Sequence, residues 1–187
     1  MPYLDTGLLY RAVAWRAREA GVAAEDEVSL ALLAQTLDSS LLDSAEALRA
    51  PEVSALASRV SSHGAVRQAL LAWQQSFAAR PGGAILDGRD IGTVVCPEAP
   101  VKFFITARPE IRARRRWQEL QATGQPDTFE AVLKALQERD ARDAARAVAP
   151  LRPAVDAYVF DTSEKSAADV FTEAVQYVSR TMPFRAS

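Results

Sequence analysis

Ala84-Ile85-Leu86 is a short apolar run that follows Gly82-Gly83 and ends at Asp87-Gly88-Arg89-Asp90-Ile91-Gly92-Thr93. Such a run predicts a strand buried on both faces, and a strand of that kind belongs in a parallel sheet packed between helices. The charged residues then fall at the strand's C-terminal end, where open α/β sheets bind their ligands. Gly88 and Gly92 allow a positive φ or a close approach of the backbone to a ligand, and the planar fork of Arg89 suits phosphate. A charged turn between two strands is the plainer alternative. A second strand is expected within Pro100 to Thr106 and a last short one over Ala157 to Phe160, so the fold class is α/β.

Helical periods account for most of the remaining chain. Leu8 to Ala20 reads as a helix capped by Thr6 or Asp5 and ended by Gly21. A phosphate near its N-terminus would meet free backbone N–H groups, the Thr6 hydroxyl and Arg11; packing of Tyr10 and solvation of Arg11 is the structural alternative. Further helices are expected from Asp26 to about Leu37, Pro51 to about Ser61 and Ala65 to Ala79, while Leu41 to Ala50 has no readable period. Residues 23 to 80 are therefore read as a wholly helical insertion between the opening segment and the strand at 84.

The helix after Arg108-Pro109-Glu110 carries Arg112, Arg114, Arg115 and Arg116, which place positive charge on most of its circumference. An anion, or acidic residues of the next helix, should lie against it. In that next helix, capped by Asp127 or Thr128, Arg139, Arg142, Asp143 and Arg146 follow i, i+3, i+4, i+7 and project from one face. The spacing makes either an anion clamp around Asp143 or intrahelical bridges worth about 0.3–0.5 kcal/mol each. Ala167 to about Thr181 is the closing helix, with Val170, Ala174, Tyr177 and Val178 inward.

Composition narrows the function classes. A formal net charge of -2 and the lack of a basic tail argue against nucleic acid and membrane surfaces as partners. Cys96 is the single cysteine and His63 the single histidine, which excludes an internal disulfide and argues against a Cys/His metal site. No signal peptide or apolar span is visible, so the cytoplasm is the expected compartment. The basic residues are 19 arginines and 3 lysines. That bias suits a bidentate grip on phosphate or carboxylate, and a biased genome composition would produce it equally.

Leu4-Asp5-Thr6-Gly7 with Tyr10-Arg11, Asp87 through Val95, Arg139-Asp140 through Asp143, and Arg146-Ala147-Val148-Ala149-Pro150-Leu151 together resemble bacterial cytidylate kinases, in order and over essentially the whole chain. The resemblance implies a nucleoside-monophosphate kinase fold, a parallel sheet with helices on both faces. Its core would be residues 1–22, 81–111 and 147–187, with a helical CMP-binding insertion at 23–80 and a short lid at 112–146. The implied reaction is transfer of the ATP γ-phosphoryl group, with Mg2+, to CMP or dCMP by a monomer. Thr6, Tyr10, Arg11 and Arg89 would surround the CMP phosphate, and Ser58, Arg67 and Asp90 would recognise the cytosine. Asp143 would hold the sugar hydroxyls, Arg139 and Arg146 would bridge the phosphates of both nucleotides, and Asp87 would sit near the metal's water shell. Arg89, Arg139, Arg146 and Asp87 are then the catalytic residues. No general base is required, because the attacking phosphate oxygen is already anionic.

The departure from the family is at the start. Its members open with a strand and a G-x-x-x-x-G-K-[ST] loop that cradles the ATP phosphates. No such motif occurs in these 187 residues, and none of Lys102, Lys134 and Lys165 follows a glycine of that pattern. The expectation is a portion of a longer enzyme, inactive alone, with Tyr3-Leu4-Asp5 as the second strand of the sheet. The alternative is a natural remnant that binds CMP or phosphate without transferring it.

Overall fold

The computed structural model describes residues 1–124, 127–145 and 148–182. It divides into two compact units, Met1–Ile91 and Gly92–Ser187.

In the first unit, strand β1 (Tyr3–Asp5) runs directly into helix α1 (Thr6–Glu19). The junction is capped by Asp5, whose Oδ1 accepts the Gly7 N–H at 3.0 Å. Helices α2 (Glu27–Gln35), α3 (Ala45–Leu48), α4 (Pro51–Val60) and α5 (Gly64–Ala78) follow, with a 3-10 turn at Ser39–Ser44 in the stretch that has no sequence period. Asp26 caps α2 and Pro51 opens α4, where its missing N–H costs nothing. The core lies around α1, where Leu9, Val13, Ala14 and Ala17 pack against Leu30 of α2, Val53 and Val60 of α4, and Val66, Leu70 and Phe77 of α5. Each fully buried Leu, Val or Phe contributes about 1.5–3 kcal/mol.

Gly82 and Gly83 take φ values of 84° and 76°, which turn the chain into β2 (Ile85–Asp87). β2 pairs in parallel with β1 in the register Tyr3↔Ile85, Leu4↔Leu86, Asp5↔Asp87, so both strands end in a carboxylate at one level. The expected burial on both faces is not found. Leu4 is 5% exposed, whereas Tyr3 is 61% and Ile85 54% exposed. Alternate residues of a strand face opposite sides, and only the side of Leu4 and Leu86 joins the helical core. A three-residue apolar run cannot by itself distinguish one covered face from two.

The second unit contains β3 (Phe103–Thr106), α6 (Pro109–Ala122), α7 (Phe129–Ala144), β4 (Tyr158–Asp161) and α8 (Ala167–Thr181). A π-helical turn, Ile91–Val95, precedes them. β3 begins after the expected Pro100, which has no N–H for a ladder. It pairs in parallel with β4 in the register Phe103↔Tyr158 to Thr106↔Asp161. Phe103 meets Phe160 edge-on at 5.1 Å and Tyr177 of α8 at 5.4 Å, and Tyr158 lies 4.6 Å from Tyr177. Val170, Ala174, Tyr177 and Val178 form the less exposed side of α8, as expected, yet none is fully buried. Phe171 is 70% and Ile105 63% exposed. α6 and α7 pack on each other through Ala113, Leu120 and Val132, with Trp117, Phe129, Leu133 and Leu136 around them. Among the described residues no helix is long and apolar enough to cross a membrane.

Candidate functional site

The first unit gathers its polar residues where α1, α5 and the loop after β2 converge. Arg67, placed by the first turn of α5, ion-pairs through Nη2 with Asp90 Oδ2, and both side chains are 8% exposed. The other arm of the guanidinium donates to the Ser61 carbonyl at 3.2 Å, and its carbon lies 5.5 Å from the centre of the Tyr10 ring. The Ser61 hydroxyl donates in turn to the Ser58 carbonyl at 3.1 Å. Ser58 Oγ is buried and has no hydrogen-bond partner among the described residues. Native proteins leave few buried polar atoms unsatisfied, so a water or a ligand group is the partner such an atom calls for. Tyr10, Arg67 and Asp90, far apart in sequence, thus meet, and Ser58 is joined to them through its backbone carbonyl and Ser61.

A buried arginine–carboxylate pair is held against the cost of removing two charges from water, so it is weak evidence of stability for its own sake. What it provides is a fixed donor fork beside a fixed acceptor, in a place closed to most solvent.

Around this group the structure places the other expected residues individually. Thr6, 3% exposed, donates its hydroxyl to the Asp87 carbonyl at 2.7 Å and so ties the start of α1 to the end of β2. Gly88 is required by that closeness, since a Cβ built on it would stand 2.3 Å from Thr6 Oγ1. Of the two roles open to this glycine, close approach is the one observed, because its φ is not positive. Arg11 donates to the Leu48 carbonyl at 3.2 Å and to Ser54 Oγ, which holds it along α3 and α4. Arg89 is exposed. Asp87 is exposed as well and accepts the Tyr3 hydroxyl at 3.5 Å. Partial burial, together with the Asp87 and Asp5 carboxylates, pushes the Tyr3 phenol above its usual value.

In the second unit, Asp143 is 1% exposed and Arg139 Nε lies 3.9 Å from its Oδ2. Arg142 is exposed, and Arg146 lies outside the described residues, so among the described residues the Arg139–Asp143 pair is what the structure gives of the expected clamp. The Asp143 carbonyl accepts the Leu151 N–H at 3.0 Å, which holds Leu151 against the end of α7. Ala149 within that segment has φ 54°, a strained value for a residue with a Cβ.

The basic run of α6 is paired largely as its crowding required. Arg112 grips Asp140 of α7 with two bonds of 3.0 and 2.6 Å and donates Nε to the Ala107 carbonyl. The bond Arg112 donates to Asp140, outweighing partial burial, raises the Arg112 pKa. Arg115 binds the Thr162 hydroxyl and carbonyl at 3.0 and 2.6 Å, and Arg116 pairs with Glu119. Arg114 is exposed. Ser54 and Ser61 were not foreseen as contributors, and a serine in a helical period gives no signal that it will hold an arginine from elsewhere. Among the described residues no group of three or more His, Cys, Asp or Glu could hold a metal ion.

The sequence profile of the cytidylate kinase family matches residues 1–180. The chain belongs to the cytidylate kinase family. It is 58% identical over 157 residues to a cytidylate kinase of Methylobacterium sp. (strain 4-46), an alignment covering 84% of this chain and 74% of that protein. It is 51% identical over 178 residues to a cytidylate kinase of Xanthobacter autotrophicus, covering 95% and 85%. A cytidylate kinase of Caulobacter vibrioides is 46% identical over 177 residues, covering 95% and 83%. Membership makes the chain a member of a kinase family, and the mixed α/β architecture with parallel strand pairs agrees with a nucleoside-monophosphate kinase fold. Of the residues the family resemblance singled out in the first unit, Tyr10, Ser58, Arg67 and Asp90 lie in one group, Thr6 bonds Asp87, Arg11 turns to α3 and α4, and Arg89 is exposed.

Proposed function

We propose that this chain binds CMP or dCMP and that, together with a phosphate-cradling loop, it transfers the γ-phosphoryl group of ATP to it. The observation that carries the reading is the buried Arg67–Asp90 pair beside Tyr10 and the unpartnered Ser58 Oγ. Cytosine needs an acceptor for its amino group and donors for its carbonyl and ring nitrogen. Asp90 is an acceptor only and Arg67 a donor only, so the pair matches that edge and opposes uracil, which presents a second carbonyl where cytosine has its amino group. The Ser58 hydroxyl supplies the remaining bond.

The phosphate of CMP would lie at the start of α1, with Thr6, Arg11 and Arg89 around it and the helix N-terminus behind. Arg139, Asp143 and Arg146 would serve the sugar and the bridging phosphates from a lid spanning 112–146, while residues 23–80 form the CMP-binding insertion and the remainder the core. These arginines would neutralise charge and align the two phosphates, which is most of what phosphoryl transfer asks of a protein. Magnesium, when bound with ATP, supplies charge neutralisation across the transferring phosphates. The residues present suit a metal carried by nucleotide and water rather than a protein cage, and the exposed Asp87 carboxylate at the end of β2 would hold its water shell.

ATP turnover would need the glycine-rich loop and its lysine, which these 187 residues do not contain, and the chain alone is then inactive. The bare apolar side chains Ile85, Ile105 and Val159 on the two strand pairs support the need for further structure. The second reading is a CMP receptor without transfer.

Isothermal titration of the full chain with CMP tests the binding claim. CMP should bind at one site, UMP at least tenfold more weakly, and Arg67→Ala and Asp90→Ala should each weaken CMP by tenfold or more, since each leaves a buried charge unpaired. Equal affinity in both variants would discard the site. A coupled assay with CMP and MgATP then separates the readings: transfer that appears only when a strand, G-x-x-x-x-G-K-[ST] loop and helix are fused before Met1 supports the kinase. Binding without transfer in that fusion supports the receptor.

A further inference from the structure

A cleft in the Met1–Ile91 unit lies apart from the site residues discussed above. It measures about 530 Å³, within the range of small-molecule pockets, and none of Thr6, Tyr10, Arg11, Ser58, Arg67 or Asp90 lines it. We propose that it is a second binding site, for a planar aromatic anion the size of a fused bicyclic ring bearing one phosphate or sulfonate.

One wall is aromatic. Trp73 and Phe77, one turn apart on α5, stack with their ring centres 5.9 Å apart and planes inclined by 19°. Leu4 and Leu8 supply an aliphatic surface from β1 and α1. A flat ring is the group that such walls bury best, because stacking adds to the area removed from water. Two guanidiniums stand at the same cleft. Arg80 lies over the Phe77 ring at 4.2 Å, is exposed, and has no carboxylate partner among the described residues. Arg49, 60% exposed, has a single long contact of 3.4 Å to Asp5.

Among the described residues Asp5 is the only carboxylate lining the cleft. Its other oxygen is committed to capping α1 through Gly7. The cleft therefore carries an excess of positive charge, presented by forks suited to an oxyanion, beside an apolar stacking surface. A neutral hydrophobe would leave the cations unused, and a bare phosphate would leave the aromatic wall wet. The two requirements together select the amphiphilic anion. The inference rests on this cleft alone and stands whether or not CMP is the ligand of the neighbouring group.

The probe is 1-naphthyl phosphate, added to the full chain while tryptophan fluorescence and calorimetric heat are followed. One saturable site is expected, with quenching that disappears in Trp73→Phe while the heat of binding remains, which assigns the signal among the three tryptophans. 1-Naphthol should bind about tenfold more weakly, and Arg80→Gln and Arg49→Gln should each lower the affinity for 1-naphthyl phosphate by about tenfold, since each removes a charge-assisted bond. Saturating CMP should not displace the probe. Displacement by CMP, unchanged affinity in both arginine variants, or quenching that persists in Trp73→Phe would each overturn the proposal, as would the absence of saturable binding. Loss of CMP binding in Arg67→Ala with the probe still bound separates this site from the nucleotide site.

Discussion

Replacing Gly88 by alanine should destabilise the Met1–Ile91 unit by about 2–4 kcal/mol, and the reasons can be weighed one at a time. Gly88 does not use a positive φ, so alanine carries no backbone penalty there. The whole cost is steric. Its Cβ would stand 2.3 Å from Thr6 Oγ1 and 2.9 Å from Ile91 Cδ1, both inside van der Waals contact. Thr6 is 3% exposed and has nowhere wet to turn. If its hydroxyl swings away it loses the 2.7 Å bond to the Asp87 carbonyl and is left buried without a partner, at about 1–3 kcal/mol. Crowding against Ile91 adds about 1–3 kcal/mol of overpacking. The two terms share one relaxation and do not simply add.

Urea unfolding followed by circular dichroism reads the effect. With a slope of about 1–3 kcal/mol per molar urea, the midpoint should fall by about 1–2 M. The clash names its partner, so a double-mutant cycle with Thr6→Ala should recover about 1–2 kcal/mol of coupling. A midpoint within the error of the parent, or a cycle that is additive, would show that the strand end relaxes freely and refute the steric argument.

Asp140→Ala removes both bonds that hold Arg112 across the α6–α7 contact; about a third of each side chain is exposed, so the loss is discounted to about 1 kcal/mol. The melting temperature should drop by about 2–4 °C, and an unchanged value would make the pair a passenger. Cys96 has its thiol pushed up by burial, so less thiolate is present at pH 7.5 and iodoacetamide should label it more slowly than free cysteine; labelling at the free-cysteine rate would contradict this. Lys165 and the Tyr158 hydroxyl both bond the Glu173 carboxylate, holding Glu173 below and Lys165 above their ordinary values. The sign follows: the Glu173 contribution is present above about pH 4.3 and lost as pH falls through its folded value, and the Lys165 contribution is present below about pH 10.4 and lost as pH rises through its own. Carbon-detected titration of Glu173 should give a midpoint below the model-peptide value, and one at or above that value would deny the bond from Lys165.

Local signals were the legible ones. Asp26, Pro51 and Pro109 mark helix starts in the sequence and begin helices in the structure, and of the paired candidates Thr6 or Asp5 and Asp127 or Thr128 the caps are Asp5 and Thr128, because capping and a missing N–H act within one turn. The face of α8 was legible for the same reason, since its period is visible in fifteen residues. What depended on distant partners was not. The exposed face of β2 follows from what lies beside the strand, and the length of Ala84-Ile85-Leu86 says nothing about neighbours. Charge crowding in the basic run calls for an anion or for acidic residues of the next helix against it, and the second is what the structure has at Arg112. Which of four arginines would take Asp140, and that Arg115 would turn to Thr162, required the register between helices. At the site, the family pattern alone singles out Arg67 and Ser58, which by residue type and period read as surface positions, and the bond from Arg67 to the Ser61 carbonyl exists only in three dimensions.

The α6–α7 hairpin has a core of its own, with Ala113, Leu120 and Val132 as its buried members. Small clusters of that size open at a lower free energy than the main core does. Backbone amides of these two helices should therefore exchange with solvent deuterium ahead of those of α1, as one cooperative group rather than residue by residue. A hairpin that opens as a unit can also be held shut as a unit, and the two bonds from Arg112 to Asp140, placed where the helices meet, set how often that happens.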